Sequence, residues 1–353
     1  MHVPDGFINA PVSVAAAVVA TGAVAVSLRG ARRELDERTA PLAGLVAAFI
    51  FAVQMLNFPV AAGTSGHLLG GALAAILVGP FTGVLCVSVV LLMQGILFAD
   101  GGLTALGVNI TVMGAVTVVV AYALFRGLLR VLPGTRRSVT AAAFAGALLS
   151  VPAAAAAFTL IYAVGGTTQV PIGKVFTAMV GVHVLIGIGE ALITAATVGA
   201  VIAVRPDLVH GARGLTAPLK LRVGGEFVDA PAAAVRPVAA RSAKRVWAVG
   251  LAAALVLAGL VSSFASSSPD GLEKVAADQG IDAKADQYEH ATADSPLADY
   301  AVKDVGNESL SVGLAGVIGV GATVAVGSGV FWIARRRRTD EPAPAPAPST
   351  TAV

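Results

Sequence analysis

The sequence predicts an all-α, polytopic membrane helical bundle, with a seven-segment core followed by a C-terminal two-helix unit. Two observations carry that prediction. Hydrophobic residues make up 56% of the 353 and charged residues 13%, about half the charged share of a soluble globular domain. The apolar residues also gather into runs of roughly the 20 residues that cross a bilayer. Mean hydropathy is +0.82. This composition excludes a soluble enzyme, a disordered chain and a nucleic-acid-binding protein, since the net charge is only +3. A single cysteine, Cys86, excludes a disulfide framework and a thiolate zinc site.

Nine apolar segments follow in order: 10–28, 41–60, 67–79, 81–98, 105–125, 139–162, 175–204, 247–265 and 310–334. The third is short and is stopped by Gly79-Pro80, because proline removes a donor and clashes with the preceding turn. Abundant Gly and Ala suit close helix crossings in lipid. No segment alternates as a barrel strand would. The charges orient the bundle. Segments 29–38, 126–137, 205–245 and 335–338 hold twenty of the 24 Lys and Arg, and the intervening segments hold Lys174, Lys274, Lys284 and Lys303. Basic residues accumulate on the cytoplasmic side. The expectation is therefore a multi-pass plasma-membrane protein with its N-terminus outside and its C-terminus in the cytoplasm.

The organisation read from the chain is a core over 1–204 and a basic cytoplasmic linker over 205–245. A two-helix unit over 246–338 and a disordered cytoplasmic tail over 339–353, rich in Pro-Ala, complete it. Within the two-helix unit, the outside segment 266–308 carries ten acidic residues against three basic. The N-terminus lacks a basic stretch and a small-residue cleavage site, so it does not read as a signal peptide. A bulky second residue keeps Met1 in place.

Polar residues in this setting mark function. His2 follows a free amine. That amine, the amide nitrogen of residue 2 and the imidazole Nδ1 can close a five- and a six-membered chelate ring. They offer three nitrogens in one plane, a set that suits Ni(II), Cu(II) or low-spin Co(II). The amide must lose its proton, which makes Mg(II) and Ca(II) poor candidates. His67 lies in Gly63-Thr-Ser-Gly-His-Leu-Leu-Gly70, on the same side as the N-terminus, and can close the fourth corner. Ser65, Asn57 and Asn109 are candidates to orient a ligating imidazole. His183 and Glu190, seven apart on one helix face, form an intramembrane polar pair. His210 and His290 are expected to be solvated. No phosphate-binding loop, Ser–His–Asp set or paired carboxylates appear, so the chain is not read as an enzyme.

Met1-His-Val-Pro-Asp-Gly-Phe7, the stretch around His67, and Asp100-Gly-Gly-Leu-Thr-Ala-Leu-Gly-Val-Asn109 together resemble the CbiM/NikM family. These are metal-capture (S) subunits of energy-coupling-factor uptake transporters for cobalt and nickel. His183-Val-Leu-Ile-Gly-Ile-Gly-Glu190 fits the last core helix of that family, and Ser268-Pro-Asp-Gly-Leu-Glu273 resembles the PDGLE domain of NikN/CbiN-like subunits. The resemblance implies a seven-helix core with its N-terminal loop tucked inside, and a metal held by Met1, His2 and His67. It implies a transmembrane coupling subunit and ABC ATPase subunits as partners, no prosthetic cofactor, Co(II) or Ni(II) as cargo, and supply of cobalamin biosynthesis or nickel enzymes. The alternatives are an ion-coupled secondary transporter using His183 and Glu190, and a membrane metal sensor without transport.

Overall fold

The computed structural model describes residues 1–35, 39–61, 63–213, 220–223, 226–229, 243–282 and 290–339. The expected tail beyond Thr339 and about half of the basic linker lie outside the described residues.

The chain opens with an irregular stretch, then α1 (Ala10–Glu34), started by the Asn9 side chain, which accepts from Val12 N. There follow α2 (Thr39–Gln54), a hairpin of β1 (Phe58–Ala61) and β2 (Thr64–Gly66), and α3 (Gly71–Val78). Next come α4 (Pro80–Leu97), α5 (Leu106–Val131), α6 (Arg136–Gly165) and α7 (Ile172–Val204). A second hairpin joins β3 (Lys220–Val223) to β4 (Glu226–Asp229). Then come α8 (Ala243–Gly259), α9 (Gly271–Gln279) and α10 (Glu308–Thr339). Among the described residues, seven helices are long and apolar enough to cross a membrane; α2 is a shorter apolar helix.

Two of the nine expected spans are corrected. Segment 41–60 stops being helical at Gln54, because Pro59 and the glycines at 63 and 66 favour a hairpin. Segment 67–79 is helical only over the eight residues of α3, and His67–Gly70 is non-helical. This pair still carries the chain across the bundle: His67 touches Met1, whereas the residue after α3, Gly79, packs on Glu34 at the far end of α1. Four extended residues and two helical turns cover about 25 Å.

Unwound backbone at membrane depth needs internal partners, and α7 and α2 supply them. The carboxylate of Glu190 accepts from Leu69 N (2.5 Å) and Gly70 N (3.0 Å). Gln54 Nε2 donates to the Leu69 carbonyl at 3.0 Å. At the other end Glu34 accepts from Phe81 N and Thr82 N, satisfying the first turn of α4.

The long α6 and α7 pair with each other, and α2 is buried among α4, α8 and α10. Where α8 and α10 cross, a Cβ at Gly316 would stand 2.1 Å from the Ala258 carbonyl oxygen. Only glycine allows that approach in lipid, where packing drives association. The C-terminal helices are thus integral to the bundle, with α2 as their common surface.

Candidate metal centre

The first nine residues thread into the end of the bundle. Asn109, on α5, clamps residue 3 from both sides: Val3 N donates to Asn109 Oδ1 (2.8 Å) and Asn109 Nδ2 donates to the Val3 carbonyl (3.1 Å). Gly102 N also donates to that carbonyl at 2.9 Å, and a Cβ on Gly102 would sit 2.3 Å from Asp5 N. Asp5 accepts from Thr104 N at 2.9 Å. Thr167 Oγ1 donates to the Gly6 carbonyl at 2.7 Å. Met1, Val3 and Phe7 are buried as a result.

This clamp brings the Met1 nitrogen to 2.6 Å from His67 Nε2. His67 Nδ1 lies 3.0 Å from the Leu68 carbonyl. With a proton on Nδ1 donating there, Nε2 keeps its lone pair for the amine or a metal. The rings of His2 and His67 stack with centroids 5.0 Å apart. Met1, His2 and His67, three residues separated by up to 66 positions, therefore share one locus.

His2 faces two acceptors. Its Nε2 is 3.1 Å from Gln94 Oε1 and its Nδ1 is 3.2 Å from Asp100 Oδ1. Burial drives the imidazole pKa down to about 4 against the opposing pull of Asp100, so at neutral pH one proton serves two acceptors. A cation on Nδ1 resolves the conflict: the proton sits on Nε2 and donates to Gln94, and the Asp100 carboxylate faces positive charge. Tyr300 OH donates to the other oxygen of Asp100 at 2.5 Å.

Two expected effects follow here. Gln94→Leu removes the group that fixes the His2 tautomer and should weaken metal binding by roughly 10- to 100-fold, read by metal titration; an unchanged affinity would refute the role. A docked His2 stays neutral down to about pH 4, whereas a released one protonates near 6.5. The lowered pKa in the docked state makes docking weaken as pH falls from 6.5 towards 4, with no dependence on His2 above that window. Amide exchange of residues 1–9 against pH reads this directly.

The Ser65 and Asn109 side chains bond backbone rather than an imidazole, which corrects their expected role, whereas Asn57 Oδ1 finds no hydrogen-bond partner among the described residues. Ser65 N and Oγ donate to the carbonyls of Pro269 (2.8 Å) and Ser268 (2.7 Å). The main-chain carbonyl of Asn57 accepts from Ser266 N at 2.7 Å. These residues fasten the β1–β2 hairpin to the stretch before α9. His183 and Glu190 are also no pair: His183 Nδ1–H donates to the Met179 carbonyl at 2.7 Å, and Glu190 holds the Leu69 and Gly70 amides. His290, expected in solvent, sits 3.0 Å from the Gly101 carbonyl. His210 is half-buried, which lowers its pKa to about 4.

One participant escapes a residue-by-residue reading. Asp270 Oδ2 lies 2.5 Å from the Met1 nitrogen and 3.5 Å from His67 Nε2. Burial raises its pKa, but the facing ammonium and His67 together outweigh that and hold the carboxyl well below its usual range. One oxygen each from Asp270 and a ring nitrogen each from His2 and His67 lie within 4.8 Å of one another. A cavity of about 460 Å³, lined by His2, Asp100, Asp270, Glu273 and Tyr300 among others, opens beside them. Sequence signals Asp270 in two ways: it lies in the Pro-Asp-Gly-Leu-Glu motif, and Asp-Gly-Leu-Glu has the spacing of a capping box.

The fold is that of a polytopic membrane protein, and the nitrogen set gathered at its end is of a kind that chelates transition metals. Residues 2–208 match the family model described as the cobalt uptake substrate-specific transmembrane region, and residues 244–336 match the PDGLE domain. The chain belongs to this CbiM family, in the form that carries a PDGLE domain. It is 32% identical to the fused nickel transport protein NikMN of Rhodobacter capsulatus, over 92% of this chain and 95% of that one. A putative fused nickel transport protein NikMN of Archaeoglobus fulgidus is 38% identical over 70% of this chain and 78% of its own length. A crystal structure of a transition metal transporter superposes with a TM-score of 0.52 at 25% identity, over 58% of this chain and 93% of that one. These relatives are named as transport proteins, in keeping with the lack of a catalytic constellation in the sequence.

Proposed function

We propose that this protein is the substrate-specific subunit of an energy-coupling-factor ABC transporter and captures Ni(II), with Co(II) as the competing cargo. The observation that carries this reading is the Met1 nitrogen 2.6 Å from His67 Nε2, with the His2 ring stacked alongside. The donors are the Met1 amine, the His2 amide nitrogen and Nδ1, and His67 Nε2. Four nitrogens in a plane suit Ni(II), and the ion must polarise the amide enough to remove its proton. Nickel is placed ahead of cobalt because the relatives that carry both units are named for nickel. The chain contains no ATPase motif, so energy comes from a transmembrane coupling subunit with ABC ATPase subunits. Transport supplies nickel enzymes or, for cobalt, cobalamin biosynthesis.

The charge distribution supports a plasma-membrane orientation with the N-terminus outside and the C-terminus in the cytoplasm. The ion-coupled alternative loses its basis because both oxygens of Glu190 already hold backbone amides.

Purified protein exposed to equal Ni(II) and Co(II), then analysed for bound metal, tests the reading. One ion per chain is expected, with nickel in excess. Binding should release two protons, one from the ammonium and one from the amide, read as a buffer-dependent heat of titration. A chain that takes up neither ion, or binds Mg(II) equally well, would overturn it.

A further inference from the structure

The four-nitrogen chelate leaves Asp270 without a role, yet this carboxylate is buried against it. Its two oxygens do separate work. Oδ1 caps α9, accepting from Leu272 N (2.7 Å) and Glu273 N (2.9 Å). Oδ2 faces Met1 and His67. Glu273 Oε2 accepts from Asp270 N at 2.8 Å, and Ser65 holds the two preceding carbonyls. Backbone from both the core and the C-terminal unit therefore fixes this one oxygen at the amine.

We propose that Asp270 is the counter-ion of the metal centre and exchanges the Met1 ammonium for the metal chelate at constant charge. The proposal rests on the chelate described above. The balance is simple. The ammonium carries +1. Chelation adds a divalent ion and expels one proton from the ammonium and one from the His2 amide, both to water. The complex again carries +1, from M(II) and one amidate. The same fixed carboxylate thus neutralises the site before and after loading, and no second charge is stranded in a buried place, where it would be costly. An ion that cannot deprotonate the amide brings +2 against this carboxylate, so the arrangement also selects against Mg(II) and Ca(II). The C-terminal unit is on this account part of the metal site.

Asp270→Asn separates charge from structure, because asparagine caps a helix as well as aspartate. In the full-length protein at pH 8.5, where protons compete least, Ni(II) affinity of this variant should fall roughly tenfold or more. Asp278→Asn, which removes an exposed charge from the same helix, should bind as wild type does. In metal-free protein, Asp270→Asn should speed amide exchange over 64–70 and 271–279. Asp270→Asn binding Ni(II) as tightly as wild type, or tighter, would overturn the proposal. A wild-type chain that binds no metal would instead defeat the chelate reading. The metal-free exchange then still decides: unchanged exchange in Asp270→Asn shows that the carboxylate does not hold the amine.

Discussion

Extending the chain by one residue ahead of Met1 is expected to abolish tight nickel binding while leaving the bundle folded. The extension converts the amine into a secondary amide and moves the new amine away from His67. It also has nowhere to go, since the Met1 nitrogen sits between His67 and Asp270 and the side chain is buried. His2→Ala should have the same effect, because it removes one donor and opens the six-membered ring. Losses well beyond the roughly 10- to 100-fold typical of outer-shell partners are expected. Binding by isothermal titration, with helical content followed by circular dichroism, separates ligand loss from misfolding. An extended chain that binds nickel like wild type would remove the amine from the ligand set.

Glu190→Ala is expected to destabilise the protein more than any single change at the proposed metal ligands. Its carboxylate satisfies the amides of Leu69 and Gly70, in buried backbone that has no helix to bond within. Each buried amide left bare costs roughly 1–3 kcal/mol. His67 lies two residues before the first of them, so the metal site should loosen along with the fold. Glu190→Gln keeps one acceptor oxygen and should fall between the two. Thermal unfolding in detergent, with and without nickel, measures both effects. An Ala variant that melts and binds as wild type does would show that α3 is held some other way.

What could be read from the sequence follows what the bilayer dictates. Long apolar runs such as 139–162 and 175–204 became α6 and α7 because nothing but a helix satisfies their backbone in lipid. The same rule misled at 41–60 and 67–79, where side chains from elsewhere substitute for helical partners. Glu190 stood out as a polar residue in a span, but the groups that Gln54 and Glu190 satisfy lie 15 and some 120 residues away, beyond any local pattern. His2 was legible as a candidate donor because the amine–amide–imidazole chelate is a matter of covalent spacing, and His67 as a candidate because it lies on the side expected for the N-terminus. Gln94 and Asp100 were not, since a polar residue at the end of a span has many ordinary uses. Asp270 belonged to a recognisable motif whose chemistry depends on a contact with residue 1.

That contact has a consequence for assembly. The Met1 nitrogen and Asp270 are 269 positions apart in the sequence. Closing so long a loop is slow, and long-range contacts form late. The amine must therefore wait, while α1 to α8 are made and packed, before its last neighbour arrives. A polypeptide truncated between His67 and Asp270 carries the nitrogens but not the carboxylate, so on the reading proposed above the site closes only once synthesis has passed residue 270.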